Sequence, residues 1–353
     1  MDHVKNNSFH ILVVCFLSYS FFINKFVSNN IMISFGTKGL IPLIIIDLLF
    51  PFILLLYKPI KRIQQEKLDN LAKGKAGINF VFKIFVSVYL ILTSIYTLRH
   101  VCSFMSTYFF NIVSLILEIT LLLLLVLYAS KKNFKCLNTI SILIFFYFIF
   151  EFVVYMLTGI EKNYFLINLF PSFNTLEFVK IFMLSSLFFI DMLLLFIYSD
   201  DAIDVVKRKH LLLFAFLLSF MNIFEKVKMC LSLGPMMEFF TFPSFETWRL
   251  SSISVLRLNI DFIPLIGWIM LVFVRLSLSL YLLNKLWNNT SKGFNISILV
   301  FIGVVTYIIS NNLEISVLMQ KESYILIFIV GVVSMFLLYL LVKEKRGKLK
   351  RVK

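Results

Sequence analysis

FIPLIGWIMLVFVRLSLSLYLL, residues 262–283, carries one charge, Arg275, in 22 residues. A bilayer core about 30 Å thick takes about 20 apolar residues at helical rise. A backbone in hydrocarbon must also satisfy its own hydrogen bonds, so the run reads as a transmembrane helix. Working outward, nine further apolar stretches read the same way: 9–27, 40–57, 80–96, 112–128, 140–157, 181–198, 211–233, 294–309 and 324–342. The composition agrees, because 60% hydrophobic and 15% charged residues are too apolar for a soluble core under a polar skin. The expected fold is therefore an all-α integral membrane protein of about ten transmembrane helices in a single transmembrane domain. Its first five helices fall in 1–160, its second five in 161–342, and a basic tail in 343–353. Five spans per half would invert one half relative to the other, the geometry of inverted-repeat transporters.

Orientation follows from the placement of Lys and Arg in short loops. Alternate loops carry Lys58, Lys61, Arg62, Lys67, Lys73 and Lys75, then Lys131, Lys132 and Lys135, then Lys207, Arg208 and Lys209, then Lys285 and Lys292, and last the tail. These loops are expected in the cytoplasm with both termini, in the cell membrane. The net charge of +15 would suggest nucleic acid in a soluble protein, because clustered Lys and Arg release counterions from phosphates. Here it follows topology instead, and the tail has no aromatic residue on which a base could stack. Membrane lipids with anionic headgroups are the expected partner of the tail, and nucleic acid is not.

The same reading gives no sign of an enzyme. Cys15, Cys102, Cys136 and Cys230 are scattered singly, which argues for neither disulfides nor metal. His3, His10, His100 and His210 show no metal-ligand spacing, and neither a Gly-rich phosphate loop nor a nucleophile elbow is present. No cofactor is expected.

Charges at membrane depth each need a reason, at about 2.5–3.5 kcal/mol apiece on insertion scales. Asp47, Glu118 and Glu151 read as structural partners or interface positions. Asp191, near the middle of its span, Glu225, Lys226, Asp261 and Arg275 are the candidates for an ion or polar pathway. In the seventh span Glu225 and Lys228 lie three residues apart on one face and can pair, which leaves Lys226 pointing elsewhere. That span is expected either to break there, to line a hydrated cavity, or to end early with its lysines snorkelling outward.

Thr241-Phe-Pro243-Ser244, Arg257-Leu-Asn-Ile-Asp261, Trp268, Phe273-Val-Arg275-Leu-Ser277 and Tyr281 form a series that resembles the endospore germination permease family. These are the B subunits of spore nutrient germinant receptors. Asn168-Leu-Phe-Pro171 resembles the element preceding the family's sixth span, and the residue-level likeness lies within 165–283. The resemblance implies the amino acid, polyamine and organocation (APC) transporter fold, with helices one and six interrupted near the midplane around a small-molecule site. Ser18, Ser20, Ser185 and Ser186 are the small polar residues placed to permit such interruption, and are the expected ligand-binding residues. The family's first-span Gly and Pro are absent between Ser18 and Val27, so the interruption of helix one has no evident source.

The function implied is transporter-shaped sensing of a small-molecule nutrient, an amino acid or similar, that triggers spore germination, with ion conduction as its output. Its setting would be the spore inner membrane, in complex with a receptor A subunit and a lipoprotein C subunit. A secondary amino acid or amine transporter is the alternative. An envelope polysaccharide polymerase fits less well, because it wants a long external loop.

Overall fold

The computed structural model describes residues 7–71, 74–108, 115–131, 135–158, 175–199, 201, 206–250 and 262–342, and among them there are helices but no strand. In chain order the α-helices are α1 (Ser8–Ser20), α2 (Asn29–Phe35), α3 (Leu40–Leu49), α4 (Tyr57–Glu66), α5 (Leu68–Leu71), α6 (Ala76–Tyr108), α7 (Leu115–Lys131) and α8 (Lys135–Leu157). They continue as α9 (Thr175–Ile190), α10 (Leu193–Ser199), α11 (Arg208–Leu233), α12 (Pro243–Leu250), α13 (Phe262–Trp287), α14 (Lys292–Asn311) and α15 (Leu313–Val342). Seven stretches among the described residues are long and apolar enough to cross a membrane: Asn29–Phe52, Ala76–Tyr108, Leu137–Leu157, Arg208–Leu233, Phe262–Trp287, Lys292–Asn311 and Ile325–Val342. Two shorter helices, Ser8–Ser20 and Leu115–Ser130, are also apolar. This is the make-up of a multi-pass membrane protein. Its outer surface agrees, since large side chains such as Leu143, Phe146 and Leu213 face outward at 67%, 66% and 62% exposure, which suits a hydrocarbon solvent and not water.

Helix α13, which carries Arg275, is the centre of the bundle. In α13, 72% of the apolar window is buried, against at most 44% in the other six stretches. It packs on α1, α6, α7 and α8. Local chemistry sets several of the ends. Asn7 caps α1 by accepting from Phe9 N–H at 3.0 Å, and Ser291 caps α14 by accepting from Phe294 N–H at 3.3 Å. Gly36 and Gly234 close α2 and α11 at φ 53°, a left-handed turn that a side chain resists. At Gly36 the run from Asn29 to Phe52 bends before α3 begins. Helix α4 buries Ile60 and Ile63 while Lys58 and Lys61 stay exposed, as an interfacial amphipathic helix does.

Contacts gather the basic loops at one end. Arg62 of α4 donates to Val342 O at 2.7 Å, and Lys75, just before α6, donates to Leu340 O and Leu341 O at 2.6 and 2.8 Å, so two basic residues cap the carbonyl end of α15. Val206 N–H donates to Gln64 Oε1 at 3.1 Å, and Lys285 pairs with Asp201 at 2.9 Å. The opposite end is tied by Lys38 to Glu177 at 3.5 Å and by Tyr108 donating to Glu246 at 2.5 Å.

Five expected spans come out differently, the second because α3 ends at Leu49 and a tighter, three-residue-bonded segment at Phe50–Leu56 leads into α4. The first does not stop at Val27: α1 passes into a wider, π-type segment at Phe21–Ser28 and then α2. The third, expected at 80–96, runs the 33 residues of α6 and takes in Arg99 and His100, which sit in the helix and not in a loop. At about 1.5 Å per residue that is about 50 Å, longer than a bilayer core is thick. The sixth is split into α9 and α10. The tenth begins at Leu313, ahead of Tyr324, because helix propensity carries the chain through polar residues that a hydropathy reading excludes.

Gly331 lets α15 come close at the split. A Cβ there would lie 2.3 Å from Ile190 Cγ2 and 3.2 Å from Tyr89 Cε2. Gly331→Val should therefore cost about 1–3 kcal/mol by overpacking, seen as a lower Tm of the detergent-solubilised protein, with Gly331→Ala costing less.

Candidate functional site

The split of the sixth span is made at a charge. Asp191 N–H donates to Leu187 O at 3.0 Å, a normal helical bond, but Met192 N–H reaches Phe189 O at 3.2 Å and Leu194 N–H reaches Asp191 O at 3.1 Å. Both of the latter close over three residues, so the winding tightens and then restarts as α10. Neither Gly nor Pro lies between Leu187 and Phe196. The first span changes winding too: Phe21 N–H is shared between Leu17 O and Ser18 O, and the π-type segment follows.

Arg275 of α13 sits between these two irregular places and is fully buried. Its Nη1 donates to Asp191 Oδ2 at 2.7 Å and its Nη2 to Asp191 Oδ1 at 2.8 Å, a two-pronged pair with no solvent access. Tyr89 of α6 donates its hydroxyl to Asp191 Oδ1 at 2.9 Å. Arg275 Nη1 also donates to Ser18 Oγ of α1 at 3.1 Å, and the Phe22 ring lies 4.6 Å from the guanidinium carbon. Four elements thus meet at one neutralised pair. Removing two charges from water costs several kcal/mol per ion, and only good geometry with further hydrogen bonds offsets it. Both conditions are met here, although Arg275 Nε has no hydrogen-bond partner among the described residues.

Beside the pair lies a cavity of about 30 Å³, lined by Cys15, Tyr19, Phe50, Asp191, Met192 and Leu218 among others. A water needs about 10–15 Å³ of such space, so one fits and an amino acid does not. Tyr19 lies within electrostatic reach of both Asp191 and a second buried acid, Asp47.

That acid has its own cation. Lys226 Nζ donates to Asp47 Oδ2 at 2.5 Å, Asn222 Nδ2 donates to Oδ1 at 3.1 Å, and Ser219 Oγ donates to the Asp47 carbonyl at 2.6 Å. One face of α11 therefore grips α3. Lys228 does something else: it donates to Tyr155 O at 2.5 Å, to Thr158 O at 3.0 Å and to Thr158 Oγ1, closing the carbonyl end of α8, with the Tyr155 ring 4.1 Å away. The expected pairing of Glu225 with Lys228 is thus replaced, and so are the expected break and the snorkelling. Helix α11 is continuous through both lysines, and each is 2% exposed because a partner awaits it inside. Glu225 is half-buried and lines a cavity of about 20 Å³ with Glu151, Tyr155 and Trp248.

Of the expected ligand residues whose side chains are described, only Ser18 touches the central pair. Ser20 Oγ donates to Phe16 O at 2.8 Å within its own helix, a local bond that bends helices more often than it binds ligands. Ser185 is fully buried, and its hydroxyl has no hydrogen-bond partner among the described residues. The side chain of Ser186, together with Asp261 and Arg257, lies outside the described residues. The four serines therefore do not form one described cluster, whereas Asp191 and Arg275 do meet.

Tyr89 and Phe22 were not foreseen, because nothing in sequence marks one aromatic among many in an apolar span. Towards the basic end, Tyr281 donates to Asp201 at 2.6 Å, and Lys285 bonds both Asp201 and Ile197 O, each at 2.9 Å. Helix α13 so holds the sixth span at Asp191 and again beyond it, at Ile197 and Asp201. At the other end Trp268 packs on Phe104 with ring centroids 4.3 Å apart and stacks on His100 at 5.8 Å. Among the described residues no group of His, Cys, Asp and Glu is arranged to hold a metal ion. The sequence matches no family model and no curated protein.

Proposed function

We propose that this chain is a ten-pass membrane protein of inverted-repeat transporter shape that works as the nutrient-sensing B subunit of a spore germinant receptor, with Asp191–Arg275 as the lock on its resting state. One observation carries the transporter reading: the first and sixth spans both lose regular winding, at Phe21 and at Asp191–Met192, beside one buried ion pair. Irregular backbone is tolerated at membrane depth only where protein or a cavity covers it, and in secondary transporters such places hold the ligand. The germinant-receptor reading rests on the series from Thr241 through Trp268, Arg275 and Tyr281. It brings with it the spore inner membrane, cytoplasmic termini, and the A and lipoprotein C subunits as partners.

In this reading a nutrient acts by stabilising a conformation in which α9 and α10 have moved off α13. The cavity of about 30 Å³ is too small for the nutrient, so binding and separation of the pair go together. A ligand that binds only the separated state loses apparent affinity by the fraction of molecules that reach it.

Replacing both charges by neutral polar residues, the isosteric Asp191→Asn with the shorter Arg275→Gln, removes the lock. Spores carrying this pair of substitutions at normal protein level should release ions without nutrient. Release that remains nutrient-dependent and unchanged in rate would sink the proposal. Uptake of a labelled amino acid or amine into vesicles holding the purified chain alone would reassign it as a transporter.

A further inference from the structure

We infer that the groove between α7 and α14 binds one acyl chain of an anionic phospholipid, with the headgroup held at Lys292. The groove has a volume of about 480 Å³, within the range of about 300–1,000 Å³ of small-molecule sites. Ile116, Leu123 and Leu127 form one wall, and Ile296, Val300 and Val304 form the other. Its floor is deep because Gly303 has no side chain: a Cβ there would lie 2.8 Å from Leu123 Cδ1, so Leu123 leans into the glycine.

Among the described residues no charged side chain lines the groove, and its polar groups make little demand on an occupant. Thr120 donates its hydroxyl to Ile116 O at 2.7 Å, and Tyr307 lies at one end of the groove. From Ile116 to Leu127 the wall rises about 17 Å, close to the roughly 15 Å of one leaflet's hydrocarbon. A transmembrane helix of about 10–12 Å diameter would rest on the rims of a notch between two touching helices, whereas an extended acyl chain enters it.

Charge marks one end. Lys292, exposed and first in α14, lies one turn before Ile296 on the same face. Lys131, Lys132 and Lys135 follow the corresponding end of α7 in sequence. The Lys292 side chain at the end of an uncharged slot suits a phosphate headgroup whose tail lies in the slot.

The test uses the full chain in vesicles of phosphatidylethanolamine with phosphatidylglycerol, extracted into mild detergent and weighed intact by native mass spectrometry. The wild type should retain one phosphatidylglycerol per chain. Val300→Trp fills the groove from its open side, where Val300 is 55% exposed, and should cut retention about tenfold with Tm unchanged. Lys292→Glu should keep one lipid but lose the preference for phosphatidylglycerol. No retained lipid in the wild type, or equal retention in Val300→Trp, overturns the inference. So does a dimer that Val300→Trp dissociates, since a second copy would then fill the groove.

Discussion

Arg275→Met is expected to cost about 3–5 kcal/mol of folding stability, because it leaves a buried carboxylate without its cation. Asp191 would keep only the Tyr89 hydroxyl, where it now accepts from two guanidinium nitrogens as well. Arg275→Lys should also be costly. A lysine presents a point charge on a flexible stem and cannot reproduce the two parallel bonds or the contact with Ser18. Adding Asp191→Leu to Arg275→Met removes both ions and should return most of the stability, since an apolar pair of similar volume is often neutral or better. The coupling between the two positions, read from a double-mutant cycle of unfolding in detergent, should exceed about 1 kcal/mol. Additive losses would mean that the pair contributes little beyond packing. The recovered double variant then separates two roles: a purely structural pair predicts an unchanged nutrient-dependent response, and a lock on the resting state predicts ion release without nutrient.

How much of this was legible in the sequence depends on what each feature is made of. Length and apolarity marked the spans, because hydrocarbon demands about the same thickness of every one of them. Arg275 and Asp191 stood out one by one, since a charge in an apolar run is rare enough to need a reason. Their pairing was not legible. They are 84 residues apart in the chain, and only the packing of α13 against the α9–α10 junction joins them. The interruption of the first span was masked for a different reason. A search for breaks looks for Gly and Pro, yet Phe21–Ser28 widens without either. The length of α6 was missed because Arg99 and His100 read as a loop. In the fold Arg99 is 6% exposed and His100 stacks on Trp268, so tertiary contacts absorb what hydropathy rejects.

Lys226→Met should cost about 3–5 kcal/mol, as much as any single substitution in α11, for it strands Asp47 among Asn222, Ser219 and apolar neighbours. Lys228→Met should cost less, about 1.5–3 kcal/mol, because the partners it leaves are carbonyls and a hydroxyl and not a charge. That order tests which lysine has the acid. Had Glu225 paired with Lys228, Lys226→Met would be nearly silent, and Glu225→Gln would couple to Lys228→Met. Asp47→Leu with Lys226→Met should restore stability as the apolar pair at 191 and 275 does. The functional outcomes should then part. The Asp47–Lys226 pair joins a continuous α11 to α3, whose own winding tightens where Phe50 N–H bonds Asp47 O, but it lies away from the meeting of the first and sixth spans, so it acts as a fixed joint that an apolar contact can replace. The Asp191–Arg275 pair sits at a split helix, where replacement by an apolar contact removes the element that holds the split closed. Spores with the apolar pair at 47 and 226 should therefore keep a nutrient response that spores with the apolar pair at 191 and 275 lose. Equal behaviour of the two would place the moving element somewhere other than the α9–α10 junction.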